Sequence, residues 1–185
     1  MNLRVTPGAW RWQALLAVLL IGVPVGVKAA DAADTATRLT IVARFDQGAL
    51  LGAQLAVQRD AEDGKVPRVE SECFSRKGHA LVTPVVAAYL QSNLSTVELD
   101  AALSFYSTTL GTKFTQHGIV SFYRDYGFPN ADPLPSFSEA EVHTILEFSK
   151  TSAGEKLMRQ QILRSGARRN EFQKPILSLL NECRR

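Results

Sequence analysis

Few side chains in this sequence combine the type and the spacing that chemistry needs. The three histidines, His79, His117 and His143, lie far apart. Only His143 has acidic neighbours at helical spacing. Glu139-x-x-x-His143-x-x-x-Glu147 brings two carboxylates and an imidazole towards one helix face, and the ordinary alternative is a solvated polar face. Cys73 follows Glu72 and precedes His79, which is open to reading as a nucleophile. A bond to Cys183, the only other cysteine, accounts for it better. There is no Gly-x-Ser-x-Gly, phosphate-binding glycine loop, His-Glu-x-x-His or Cys-x-x-Cys. We therefore assign no catalytic residue, no metal ligand and no cofactor. Tyr106, Phe122, Tyr123 and Tyr126 read as an aromatic cluster, either core packing or the wall of a groove. Gly111, Lys113, Gly154 and Lys156 fit an anion held at paired helix starts, or close helix packing. The candidate binding surface is Tyr106, Lys113, Tyr123, Tyr126, Lys156 and Arg159.

Positioning these groups requires elements, and the elements repeat. Residues 94–113 return 43 positions later as residues 137–156, without a gap. Ser95 meets Ser138, Glu98 meets Glu141, Leu103 meets Leu146, Phe105 meets Phe148, Gly111 meets Gly154 and Lys113 meets Lys156. Ser95-x-x-Glu98 and Ser138-x-x-Glu141 are capping boxes, in which serine accepts from the third helical N–H and glutamate reaches back to the serine N–H. Leu94 with Leu99, and Phe137 with Val142, form hydrophobic staples around them. Leu99, Ala102, Leu103 and Tyr106 make one apolar stripe; Val142, Ile145 and Leu146 make its counterpart. After each helix, hydroxyl residues and a glycine predict a sharp elbow into a second helix, with Thr108 and Thr151 as its caps. The positions that differ between the copies, such as Tyr106 against Ser149, are expected to be exposed or semi-exposed.

Glu98-Leu99-Asp100 followed by Phe105-Tyr106-Ser107-Thr108-Thr109-Leu110-Gly111-Thr112-Lys113 resembles the signature of a bacterial exported family, domain-of-unknown-function family 2059. Thr109 stands where that family usually has proline. The resemblance spans about residues 84–126, with a weaker echo at 138–160. It implies an exported all-helical protein and implies no activity.

Residues 1–30 read as a secretory signal: Arg4 and Arg11, then an apolar run from Ala14 to Val27, then Ala29 and Ala30 at the cleavage site. The run is shorter than the roughly 20 residues a membrane span needs. An uncleaved anchor is the alternative. The leader holds three of the 21 basic residues and no acid, so 18 basic residues face 18 acidic ones afterwards. A nucleic-acid partner thereby loses its electrostatic basis. From Lys156 onward eight basic residues stand against Glu171 and Glu182, a solvated helix surface or a basic interaction face. In an oxidising compartment Cys73 and Cys183 are expected to pair; two separate thiols are the alternative.

The fold expected for residues 31–185 is a single all-α domain of six to eight helices. It contains repeat units at about 94–126 and 137–165, joined by a proline-rich connector at 127–136. Residues 31–37 are expected to fray. A first helix or strand is expected through Leu39, Ile41 and Ala43, a helix from Arg68 that Gly78 ends, and a new helix capped by Thr83 with Pro84 inside. Ser165-Gly166 breaks the second repeat. A last helix carries Phe172, Ile176, Leu177, Leu179 and Leu180 to Cys183, with Pro175 kinking it or delaying its start.

This is a sequence with no stated chemistry. Its best reading is an exported, non-catalytic binding protein whose partner is a protein or an envelope component. No membrane span is expected after cleavage, and the oligomeric state is open. The alternatives are an immunity or inhibitor protein against an exported toxin, an envelope hydrolase with a fold-assembled site, or a structural envelope protein.

Overall fold

The computed structural model describes residues 25–128, 132–163 and 169–184. The leader up to residue 24, the Ser165-Gly166 break, the centre of the connector and the side chain of Phe172 lie outside the described residues. Helices α1 (Val25–Val42), α2 (Phe45–Glu62), α3 (Arg68–Asn93), α4 (Thr96–Tyr106), α5 (Thr109–Asp125), α6 (Glu139–Lys150), α7 (Ser152–Gly154) and α8 (Arg169–Cys183) follow in order. A π-helical turn, Glu155–Arg159, continues α7. The described residues contain no strand and form one all-α domain.

The core is organised on α3, which packs against α1, α2, α4 and α8. Phe74, Gly78, Val82, Val86 and Leu90 recur every four residues and form its buried ridge. Two residues expected to interrupt this helix do not. Gly78 is buried where α2 and α8 close in, and a Cβ there would lie 3.1 Å from Leu50 Cδ1 and 3.8 Å from Leu179 Cδ2. The glycine is therefore a close-packing site rather than a stop. Pro84 lies inside the same 26-residue helix. Thr83 is not a cap: its hydroxyl donates to the His79 carbonyl at 2.7 Å and to Asp46 at 2.8 Å. Burial along the ridge outweighs the local cost of both breakers.

The start of the chain also departs from expectation. Residues 31–37 are helical, and Ala36 and Leu39 are wholly buried, so this segment is core rather than frayed end. A break separates α1 from α2 at Arg44, whose φ of 51° is left-handed. It comes before Gly48, which lies inside α2. Residues 63–67 link α2, which runs to Glu62, to α3. Pro175 lies inside α8. The second helix of the second repeat is shorter than its counterpart: α7 and its π turn end at Arg159.

The Cys73–Cys183 disulfide ties α3 to α8. Lys77 pairs with Glu182, and Arg184 lies 3.6 Å from Glu70 on the same seam. Closing a loop of 110 residues restricts the unfolded chain and stabilises the fold by roughly 4–5 kcal/mol at most. A smaller cluster, Leu51, Leu55 and Ile119 with Phe122, Tyr123 and Phe128, joins α2 to α5.

Candidate functional site

Each repeat builds its own elbow in the same way. Ser95 accepts from Glu98 N at 3.3 Å and Ser138 from Glu141 N at 3.3 Å. The glutamates accept in return from the serine N–H groups at 2.7 and 2.8 Å. Thr108 accepts from Gly111 N at 2.9 Å and Thr151 from Gly154 N at 3.1 Å. Both threonine hydroxyls also donate 2.7 Å to the carbonyl of the phenylalanine three residues back. At the elbow the preceding helix comes so close that a Cβ on Gly111 would sit 2.3 Å from Phe105 O. On Gly154 it would sit 1.9 Å from Phe148 O. No real Cβ occupies either place.

The two units then grip each other reciprocally. Lys113, two residues past the first elbow glycine, donates to both carboxylate oxygens of Glu141 at 2.7 Å. Lys156, at the matching place in the second unit, donates to Glu98 Oε2 at 2.7 Å and to the Asn93 carbonyl at 3.1 Å. Between these pairs Phe105 and Phe148 stack face to face, with centroids 4.0 Å apart and rings 1° from parallel. Phe105 and its equivalent Phe148 thus meet as on a local two-fold axis, and the lysine–glutamate contact is made twice, as in an isologous dimer.

The electrostatics follow the same plan. The Lys156 ammonium, then the Ser152 hydroxyl, draw the Glu98 carboxyl down to about 2 against the opposing effect of burial, and the Ser95 N–H assists. Lys113 holds Glu141 below the usual carboxylate range. Lys113 also lies 5.2 Å over the Phe137 ring. Ser152 and Lys156 both spend their donors on Glu98, so their spacing does not assemble a nucleophile and base. The clasp is built to hold the two units together.

The symmetry ends at the apolar stripes. In the first unit α1 lies against α4, and Leu99 and Ala102 are wholly buried. In the second unit no helix takes the part of α1 among the described residues. Val142, the counterpart of Leu99, is 42 % exposed, and Leu146, the counterpart of Leu103, is 52 % exposed.

The candidate surface is redistributed accordingly. Tyr106 leaves it: at 4 % exposed it is core, edge-on to Phe45, Phe105 and Phe148, and burial pushes its hydroxyl's pKa upward. The expectation that the Tyr106/Ser149 difference is surface chemistry is therefore overturned, because Phe45 at the start of α2 and Phe148 of α6 pack on Tyr106. Nor do the four aromatics form one cluster. Tyr123 belongs to the α2–α5 cluster, while Tyr126 is exposed and its ring stacks 4.4 Å from Phe122. Lys113 and Lys156 are committed to the clasp. Arg159 is exposed and pairs with Glu155 at 3.0 Å. His143 lies on the exposed side of α6, 3.9 Å from Glu147. His117 Nδ1 lies 2.8 Å from the Pro135 carbonyl. Sequence reasoning passed over the reciprocal lysine–glutamate pairs. Their signal was the shared offset itself, since a duplicated unit that packs on its twin around a two-fold axis can make a cross-contact twice.

The family model that matches this chain covers residues 82–123, the end of α3, all of α4 and most of α5. Residues 82–123 match the model of domain-of-unknown-function family 2059. The family is described as an uncharacterized protein conserved in bacteria (DUF2059). No curated protein and no solved structure matches the chain. The family 2059 segment contains the first capping box, the first elbow and Lys113; the second unit, with Glu141 and Lys156, lies outside it.

Proposed function

We propose that this is an exported, non-catalytic binding protein, and that the open stripe of α6 is its contact face. One observation carries the reading: the stripe is covered by α1 in the first unit and bare in the second. An apolar ridge on a rigid, clasped helix is a ready anchor for a protein partner. Export is supported by the leader pattern of residues 1–30 and by a disulfide of the kind that persists in oxidising compartments. Cleavage after Ala29 or Ala30 spares Ala32, Ala36 and Leu39, the part of α1 that packs on the core. Among the described residues no helix is long and apolar enough to cross a membrane. The hydrolase alternative gains nothing from Glu98 and Lys156, which are spent on each other.

The test is photo-crosslinking in bacteria that express the chain, with the reactive group at position 146 or, as control, at the still more exposed Val97 of α4. The expected result is a discrete protein adduct from position 146 only, on a chain whose amino terminus is Ala30 or Asp31. Equal labelling from both positions overturns the contact face. A mass that retains residues 1–30 overturns export by cleavage.

A further inference from the structure

We propose that the partner on α6 is a second copy of this chain, docked with the two α6 helices antiparallel. This inference rests on the contact face proposed above. Along the open side of α6 the order is Glu139, Val142, Leu146, Lys150, with steps of three, four and four residues, so the four side chains form one ridge. The ridge carries an acid at one end, a base at the other and two exposed aliphatic residues between. Reversed onto itself it is self-complementary. Val142 lies over Leu146 of the second copy, Leu146 over its Val142, and Glu139 and Lys150 each face the opposite charge at the far end. Antiparallel helix dipoles favour the same arrangement.

The charges are available for it. Lys150 is exposed and pairs only within its own helix, with Glu147 at 2.6 Å. Glu139 has no ion pair among the described residues. A two-fold contact needs such a palindromic pattern, because each group must meet its complement in an identical surface. A heterologous basic or acidic helix would match only one end of the ridge. The contact spans about 18 Å of helix, so the interface is small and the dimer weak.

The test is sedimentation equilibrium of the purified, disulfide-bonded chain from about 10 µM to 1 mM, with circular dichroism confirming the fold of each variant. The wild-type chain is expected to pass from monomer to dimer, and Leu146→Glu to stay monomeric. Glu139→Lys sets ammonium groups opposite each other at both ends and weakens association about tenfold. Lys150→Glu does the same with carboxylates. An equimolar mixture of these two variants recovers the dimer, because every end pair is again opposite in sign. A wild-type chain that is monomeric at 1 mM overturns the inference, as does Leu146→Glu that still dimerises or a mixture that associates no better than its components. If the chain is monomeric while position 146 still forms its adduct in cells, the second-copy inference fails and the binding reading stands. If position 146 labels no more than position 97, the binding reading itself fails.

Discussion

Replacing Gly111 or Gly154 by alanine adds one methyl group at a place where the neighbouring atoms are main chain. The Cβ at Gly154 would lie 1.9 Å from Phe148 O and 2.7 Å from Ser149 Cα; at Gly111 it would lie 2.3 Å from Phe105 O and 2.6 Å from Tyr106 Cα. No rotamer change relieves this. The elbow has to open by about 1 Å at Gly111 and about 1.5 Å at Gly154 to reach an ordinary contact, and the displacement reaches Lys113 or Lys156 two residues on. Those ammonium groups stand 2.7 Å from their carboxylates, so a shift of that size breaks the hydrogen bond and unstacks Phe105 from Phe148. Ordinary overpacking costs about 1–3 kcal/mol; with the clasp lost as well we expect about 3 kcal/mol or more from either change. Gly118 is the control. It lies within α5 with nothing within 4 Å of its would-be Cβ, and Gly118→Ala is expected to stabilise by about 0.4–1 kcal/mol. Urea unfolding followed by circular dichroism measures all three. A Gly111→Ala or Gly154→Ala chain within about 0.5 kcal/mol of wild type would refute the elbow geometry.

Two further outcomes follow from the clasp and its surroundings. The Glu98 carboxyl is held near 2 in the fold against an ordinary value of 4.5. Folding therefore favours its ionised form, and the stabilisation is full above about pH 5 and lost as pH falls towards 2. Glu98→Gln is expected to be less stable at neutral pH and to lose less on acidification; parallel acid profiles for the two proteins would contradict this. Leu99→Ala, in the covered stripe, should cost about 2–5 kcal/mol. Val142→Ala, at the same place in the bare stripe, should cost the monomer about 1 kcal/mol or less, and equal losses on chemical denaturation would show that the two faces are not different.

Local signals were readable wherever the physics is local. The capping boxes at Ser95 and Ser138, the threonine caps and the duplication all follow from side chains that act within three or four residues. The cysteine pair was readable because only two cysteines exist. What the chain hid was decided at long range. Gly78 and Pro84 look like helix breakers until α2 and α8 press on α3, and then a missing side chain becomes the condition for contact. Residues 31–37 look frayed because alanine carries little hydrophobic signal, yet Ala36 is wholly buried in the core. Tyr106 was misread for a similar reason: it is core because Phe45 and Phe148, distant in sequence, pack on it. The left-handed Arg44 had no glycine or asparagine to announce it. The open stripe of α6 was legible as apolar, but its exposure was not, since both stripes have the same pattern and only the tertiary fold distinguishes them.

The disulfide has a topological consequence. Residues 73–183 form a closed covalent ring, and the connector at 127–136 is an arc of that ring. Cutting a ring once opens it without releasing a piece. A chain severed in the connector therefore remains one molecule, heavier by a single water, with α6 and its bare ridge still fastened to α3 through Cys183. The clasp of Lys113 with Glu141 and Lys156 with Glu98 then holds two separate polypeptides as it formerly held two halves of one. Only reduction of the Cys73–Cys183 bond turns such a cut into a loss of material.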